Sequence, residues 1–333
     1  MNGTLEVGIA YDLKSRFRAQ PDGPVDRLEE YDDESTVEAI AAALEAHGYR
    51  ARKLGGGEAF VRAVLEDPPD LVFNIAEGFG TRSREAHVPS VLEMLGIPFT
   101  HSDPLTLAVC LDKAIAKRLI ASAGIPTPAF AVVRSPRDLD GLKLPRPVIA
   151  KPLFEGSSMG IRKSSRTDDD AALSAMVKGL LDDYGEPVLV EEFCSGPEFT
   201  VGIVEIDHQP VSVGVMEIAP RTASPEDFVY SLEVKRNYLQ EVDYHVPPRQ
   251  PAALVRRVEQ VALASFEALE CRDVARVDVR VGADGEPKFL EVNPLPGLNP
   301  VTSDLAIVAR GKGIAYEELI GRIVASARAR RGL

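Results

Sequence analysis

Arg276-Val277-Asp278-Val279-Arg280, Ala283-Asp284-Gly285-Glu286 and Phe289-Leu290-Glu291-Val292-Asn293 form two runs of alternating apolar and polar residues joined by an Asp-Gly turn. The pattern predicts a β-hairpin. Side chains alternate along a strand, so Glu291 and Asn293 share one face and Asp278 on the partner strand can join them. Two carboxylates and an amide are the oxygen donors that Mg²⁺ selects, and Mg²⁺ in turn bridges nucleotide phosphates. Taken alone, the same pattern also suits a solvated polar strand face.

Upstream, Ala150-Lys151-Pro152 runs into the small-residue loop Glu155-Gly156-Ser157-Ser158-Met159-Gly160. Backbone N–H groups and hydroxyls of such a loop can cradle phosphate, with Lys151 as a point charge. It is neither G-x-x-x-x-G-K-[ST] nor G-x-G-x-x-G, and it equally suits a flexible hairpin tip. Val188-Leu189-Val190-Glu191-Glu192-Phe193-Cys194, leading to Glu198, combines an apolar strand with acids that could take ribose hydroxyls. Adjacent glutamates at a strand end are also ordinary solvated charge.

The first hundred residues alternate strand and helix: a strand over 5–11, a helix over 34–47, a strand over 70–75, a helix over 86–95 and a strand over 97–100. This predicts a parallel α/β sheet. Leu13 to Asp33, with Pro21-Asp22-Gly23-Pro24, is too long for a tight βα turn. The loop Gly78–Glu85 follows a strand's carboxyl end, where open sheets place ligand contacts, and it also serves as a plain connection. Later come helices over 112–123, 168–181, 252–269 and 316–330, and strands over 130–133, 147–152, 187–192, 275–281 and 288–292, with a β-rich stretch over 198–217.

At 333 residues the chain holds two or three packed units, and 45% apolar with 27% charged residues excludes disordered and fibrous classes. A net charge of −13 works against nucleic-acid or anionic-membrane partners, so an anionic ligand needs a local cationic pocket. Cys110, Cys194 and Cys271 form no C-x-x-C pair, which suits a reduced compartment. The opening Met1–Val7 lacks a basic region followed by an apolar run, and no segment approaches about 18 apolar residues. A cytoplasmic protein is expected. No H-E-x-x-H or G-x-S-x-G occurs, and His87 and His245 read as surface or packing residues.

In this order, these segments, together with Gly96-Ile97-Pro98-Phe99-Thr100, Leu111-Asp112-Lys113, Ser195-Gly196-Pro197-Glu198-Phe199-Thr200-Val201 and Asn293-Pro294-Leu295-Pro296-Gly297, resemble the D-alanine–D-alanine ligase family of the ATP-grasp superfamily over nearly the whole chain. The resemblance implies an α/β ATP-grasp fold with an N-terminal Rossmann-like parallel-sheet domain (1–101), a central lid unit (102–190) and a C-terminal catalytic unit (191–333). It implies an ATP-dependent ligase that joins two amino acids through an acyl-phosphate, with a role in peptidoglycan (cell-wall) biosynthesis. The alternative is a dipeptide ligase for other amino acids; an ATP-binding module without turnover ranks below both.

Residue by residue, the resemblance sets Lys113, Lys151 and Lys235 on the ATP phosphates. It sets Glu155, Ser158, Glu191, Glu192, Phe193, Cys194 and Glu198 on the nucleotide, and Asp278, Glu291 and Asn293 on two Mg²⁺ ions, with Mn²⁺ as a substitute. Arg276 and the Gly297 N–H fall on the oxyanion, and Ser157 lies in the loop closing over the reacting centre. Expected partners are amino-acid substrates; a homodimer is allowed. The amino-acid end departs from the family: Ala76-Glu77-Gly78 stands for its His-Gly, Arg82-Ser83-Arg84-Glu85-Ala86 for its Gly-Glu-Asp-Gly, and Lys235-Arg236 with a displaced Tyr238 for its Lys-Tyr. Leu298–Ser303 matches its second-carboxylate stretch only loosely. The family's ammonium-binding Glu lacks a clean counterpart, with Asp32, Asp33 and Glu34 nearby.

Overall fold

The structure is a computed structural model that describes residues 4–17 and 23–332. Met1–Gly3 of the opening stretch and Pro21-Asp22 of the long insertion lie outside the described residues.

The chain opens with β1 (Glu6–Tyr11), α1 (Glu34–Ala46), β2 (Arg50–Gly55), α2 (Gly57–Glu66), β3 (Leu71–Ile75) and α3 (His87–Leu95). The strands form a parallel sheet in the order β2-β1-β3. Asp33 caps α1 by accepting from Ser35 N and Thr36 N, and the helix buries Val37, Ile40 and Leu44. The strand and helix β2 and α2 are absent from the sequence reading, because Arg50, Arg52 and Lys53 break the apolar signal of an edge strand. Ile97–Thr100, expected as a third strand, makes only a bridge from Phe99 to Val72. Pro98 has no N–H to extend the ladder.

Next come α4 (Pro104–Leu111), α5 (Lys113–Ser122), β4 (Phe130–Val133), β5 (Val148–Pro152), β6 (Arg166–Thr167), α6 (Asp170–Tyr184) and β7 (Val188–Glu192). Their antiparallel sheet has the order β4-β7-β5-β6. Val148, Ala150, Val188 and Val190 pack on Leu173, Val177 and Leu180 of α6. By alternation, Lys151, Leu189 and Glu191 belong to the other face.

The rest comprises β8 (Glu198–Ile206), β9 (Gln209–Pro220), α7 (Leu232–Arg236), α8 (Tyr238–Glu241), β10 (Val242–His245), α9 (Ala252–Ala268), β11 (Val274–Val281), β12 (Pro287–Asn293), α10 (Asp304–Gly311) and α11 (Tyr316–Arg331). The antiparallel order is β10-β9-β8-β11-β12. Phe199, Val201, Val277, Val279 and Phe289 bury one face against Val258, Ala262 and Phe266 of α9. On the other face α10 packs closely over Gly202: a Cβ there would sit 2.6 Å from Leu305 Cδ1. Helix α11 joins this unit to the first, since Ile320, Ile323 and Val324 share a core with Val7, Ile9, Val37 and Leu44.

The insertion ties the first unit to the second. Asp26 is fully buried; its Oδ2 accepts from Gly160 N at 3.0 Å and Arg162 Nη2 at 2.7 Å, and its Oδ1 from Tyr184 OH at 2.7 Å. Burial pushes this carboxyl up, but its three donors outweigh that and hold it below the usual range. Asp26→Ala removes the acceptor for all three, and Arg162 is only partly exposed. The expected loss is about 3 kcal/mol, the low end for a broken buried pair. Chemical denaturation of the two proteins checks it. Because the folded value is depressed, this contribution is present at neutral pH and disappears as pH falls through that value, so the wild-type advantage should vanish in acid.

Candidate active site

The four side chains on one face of the β11–β12 hairpin follow from its register. Asp278 lies opposite Glu291 and Arg276 opposite Asn293. Thr200 on β8 faces Asp278 and donates to its Oδ1 at 2.8 Å. Arg276 reaches Asp278 Oδ2 at 3.0 Å and Asp304 Oδ2 of α10 at 3.2 Å, while its buried Nε–H finds no acceptor among the described residues.

Above this face lie two adjoining chambers. The first, about 700 Å³, includes Lys151, Glu198, Lys235 and Asp278; the second, about 650 Å³, includes Lys113, Ser157, Arg276, Asn293 and Gly297. Glu291 borders both. Burial pushes Glu291 up, yet Lys113, Lys151, Arg276 and Lys235 outweigh it and hold the carboxyl down at about 2. The nearest of these measured contacts, Lys113 Nζ to Glu291 Oε2, is 3.7 Å. Four cations thus surround a carboxylate that none of them binds closely.

Each lysine has a local reason for its place. Lys113 opens α5 after the cap Asp112 and donates to Glu155 O at 2.6 Å. Lys151 lies 2.6 Å from Glu191 Oε1, and Lys117 lies 2.8 Å from Oε2, off the angle of a hydrogen bond. Burial raises Glu191, but the two lysines bring it below the ordinary carboxylate range. Lys235 sits in α7, capped by Ser231, with Nζ 5.1 Å from the Tyr230 ring centre and no ion pair among the described residues.

The first chamber's wall carries Glu192, Phe193 and Cys194. Phe193 N donates to Pro147 O, whereas the N–H and C=O of Cys194 have no partner among the described residues. Burial pushes the Cys194 thiol up to about 12, so it is inert as a nucleophile. Glu198 is 3.1 Å from Arg280, whose guanidinium lies 4.4 Å from the Phe193 ring centre. Ser157 and Ser158 have φ of +49° and +59°, conformations that cost about 1–3 kcal/mol each. Ser158 Oγ donates to Tyr230 O and Leu232 N to Ile161 O, so the serine loop and the segment before α7 meet over the cleft.

Several residues sit otherwise than the sequence implied. Glu155 directs its carboxylate to Arg84 at 3.1 Å and offers the site only its carbonyl, for Lys113. Glu191 is committed to two lysines, and Glu192 to Lys288 at 3.1 Å. Asp33 is spent as the α1 cap, and Tyr238 stacks on Tyr244. The acid that does reach the second chamber from the insertion is Glu30, together with Glu77 and Glu85. Glu30 was missed because only its tertiary partner, Arg84, distinguishes it from Glu29. Lys117, Asp304 and Arg280 were missed likewise, as each is defined by a partner distant in sequence.

The donors fit a hard cation. Two carboxylates and an amide converge, and among the described residues no three His, Cys, Asp or Glu side chains do. So few protein donors suit Mg²⁺, which keeps waters and phosphate oxygens in its shell.

The family model described as D-ala D-ala ligase C-terminus matches residues 119–325. A Sinorhizobium fredii protein, y4sG, described as uncharacterized, is 32% identical over 297 residues, covering 86% of each chain. The D-alanine–D-alanine ligase of Pelotomaculum thermopropionicum is 32% identical over 299 residues, 87% of this chain and 90% of the relative. In fold, the crystal structure of the Bacillus anthracis D-alanine–D-alanine ligase complexed with ATP aligns over 99% of both chains, with TM-score 0.73 and 24% identity. Model, relatives and fold agree: the chain belongs to the D-alanine–D-alanine ligase family, ATP-dependent ligases of ATP-grasp fold.

Proposed function

We propose that this ligase joins two D-alanine molecules, using ATP to activate the carboxylate of the first. The observation that carries the reading is the ring of three lysines, Lys113, Lys151 and Lys235, lining the chambers that Glu291 borders in a chain of net charge −13. Such a ring suits a polyphosphate bound with its metal. Adenine fits beside Phe193 and the unpartnered backbone of Cys194, and Glu198 is near enough to take ribose hydroxyls. Asp278, Glu291 and Asn293 would hold Mg²⁺, which when bound neutralises phosphate oxygens. The units 1–101, 102–190 and 191–333 serve as substrate, lid and catalytic parts, and the use of ATP suits the cytoplasm. Among the described residues, no helix is long and apolar enough to cross a membrane.

A carboxylate oxygen of the first amino acid attacks the γ-phosphorus, and ADP leaves as the acyl-phosphate forms. Lys113, Lys151 and Lys235 neutralise charge on the phosphates, so the protein acts by positioning and electrostatics. The second amine then attacks the carbonyl and loses its proton. Oxygen bears a full negative charge in the tetrahedral intermediate, where Arg276 and the Gly297 N–H, which has no partner among the described residues, can donate, and phosphate departs. The serine loop over the cleft keeps water from the mixed anhydride. The product is a cell-wall building unit.

The direct test is to supply Mg²⁺–ATP with D- and L-amino acids, singly and in pairs, following phosphate and product mass. D-Ala-D-Ala formed with one phosphate per bond is expected; turnover of another pair with D-alanine inert would overturn the substrate. Two substitutions probe the roles. Glu291→Gln should weaken Mg²⁺-dependent nucleotide binding by roughly tenfold or more, yet leave metal-free ATP binding equal or tighter, because a negative charge has left the cleft. Calorimetric titrations with and without metal would check both signs. Arg276→Met should lower kcat on the order of a hundredfold with ATP affinity kept, since the oxyanion charge develops only during reaction. Steady-state kinetics beside a nucleotide titration decide this, and an unchanged kcat would make Arg276 structural.

A further inference from the structure

Arg276 has two carboxylates as hydrogen-bond partners, and they differ in what else they must do. Asp278 gives Oδ1 to Thr200 at 2.8 Å and Oδ2 to Arg276 Nη2 at 3.0 Å, and in the ligase reading it would also hold Mg²⁺. Metal and guanidinium therefore draw on one carboxylate. Asp304 stands outside the proposed metal set. Its side chain, 11% exposed, borders the first chamber, and its Oδ2 accepts from Arg276 Nη1 at 3.2 Å. Among the described residues, Arg276 is the one hydrogen-bond and ion-pair partner of that side chain.

The fold brings Asp304 to Arg276 by way of a glycine. In the β8–β11 register Gly202 lies directly opposite Arg276, and a Cβ on Gly202 would come within 2.6 Å of Leu305 Cδ1. Leu305, fully buried, thus seats the start of α10 over the neighbouring strand, and the residue before it, Asp304, meets the guanidinium. The loop leading into α10 is folded back on itself. Asn299 N donates to Ser303 Oγ at 2.9 Å, Val301 N and Thr302 N donate to Asn299 Oδ1, and a Cβ on Gly297 would lie 3.0 Å from Ser303 Oγ. One pinned segment, 297–304, carries the Gly297 N–H at one end and the carboxylate that holds Arg276 at the other.

Building on the ligase reading above, we propose that Asp304 is the positioning residue of the oxyanion site: it ties Arg276 to the loop that carries the Gly297 N–H and keeps the guanidinium in place when Asp278 serves the metal. A donor that must meet a transient charge needs its own fixed support. Burial works against the Arg276 charge, but Asp278, Asp304 and Glu291 outweigh it and raise the group above its ordinary value. Held at Nη1, the side chain still has its Nε–H, which finds no acceptor among the described residues, to donate. Asp304 acts in this role only through Arg276.

Rapid-quench single turnovers separate ATP cleavage from peptide-bond formation, and they use whichever amino-acid pair the wild type joins, so a failed D-alanine reading leaves the comparison intact. Asp304→Ala should slow dipeptide formation about tenfold or more, while ATP cleavage to ADP stays within about twofold of wild type. Asp304→Asn, whose amide oxygen can still accept from Nη1, should recover much of that loss. In an Arg276→Met background Asp304→Ala should cost nothing further, the mark of two residues acting as one. Metal-free ATP should bind Asp304→Ala as tightly as wild type or more so, because an anion has left the first chamber, whereas a displaced α10 would weaken it. Equal losses in both steps, weakened metal-free binding, or the same cost in both backgrounds would overturn the proposal. Should Arg276→Met alone leave dipeptide formation unchanged, the oxyanion role of Arg276 falls and this proposal with it; Arg276→Met impaired beside Asp304→Ala at the wild-type rate removes Asp304 alone.

Discussion

Glu191, 2% exposed between Lys117 and Lys151, is the contact on which the cleft depends. A lone lysine at the end of β5 would lose charge on burial or swing towards water. Paired with Glu191, Lys151 is instead raised above its ordinary range, even though burial acts against it. Lys117 spends its own charge on the arrangement: burial lowers it, and it sits 2.9 Å from Thr127 Oγ1 with no path to the cleft surface. Two cations for one carboxylate leave a surplus positive charge fixed beside Glu291. For the proposed phosphate contact, this is the condition of electrostatic preorganisation: the charge is fixed before any anion arrives.

The second constraint is geometric. Strands β5, β7, β8, β11 and β12 each give one face to a helix and the other to chemistry, with Val188 and Val190 on α6 and Val277 and Val279 on α9. Period-2 alternation sends Lys151, Glu191, Arg276, Asp278 and Glu291 to the opposite faces without further design. Core packing and site placement are therefore one property. A one-residue slip would bury the charges and expose the valines, so the cores of both sheets enforce the site's register.

This explains what could be read from the sequence. The hairpin at 276–293, the strands at 148–152 and 188–192, and the parallel sheet showed in the sequence because their signals are local: alternation along the strands, helical spacing of apolar residues and the stop at Gly96. Lys113, Lys235 and Gly297 were identified only by resemblance, since nothing in their own neighbourhoods marks them. The partners of Glu155, Glu30 and Arg276 were beyond reach altogether. Arg84 meets Glu30 across 54 residues and Asp304 meets Arg276 across 28, and no pattern of spacing encodes a tertiary pair of that kind.

The long segment after β1 acquires its meaning from such pairs. Within five positions, Asp26 holds Gly160, Arg162 and Tyr184, Glu29 holds Arg236, and Glu30 holds Arg84. Gly160 closes the serine loop, and Arg236 adjoins Lys235. The first unit therefore grips both segments that meet over the cleft. Their movement away from it would take the Gly160 and Arg162 donors from the fully buried Asp26 and Arg236 from Glu29 at once. Buried polar networks of this kind are worth having only when complete.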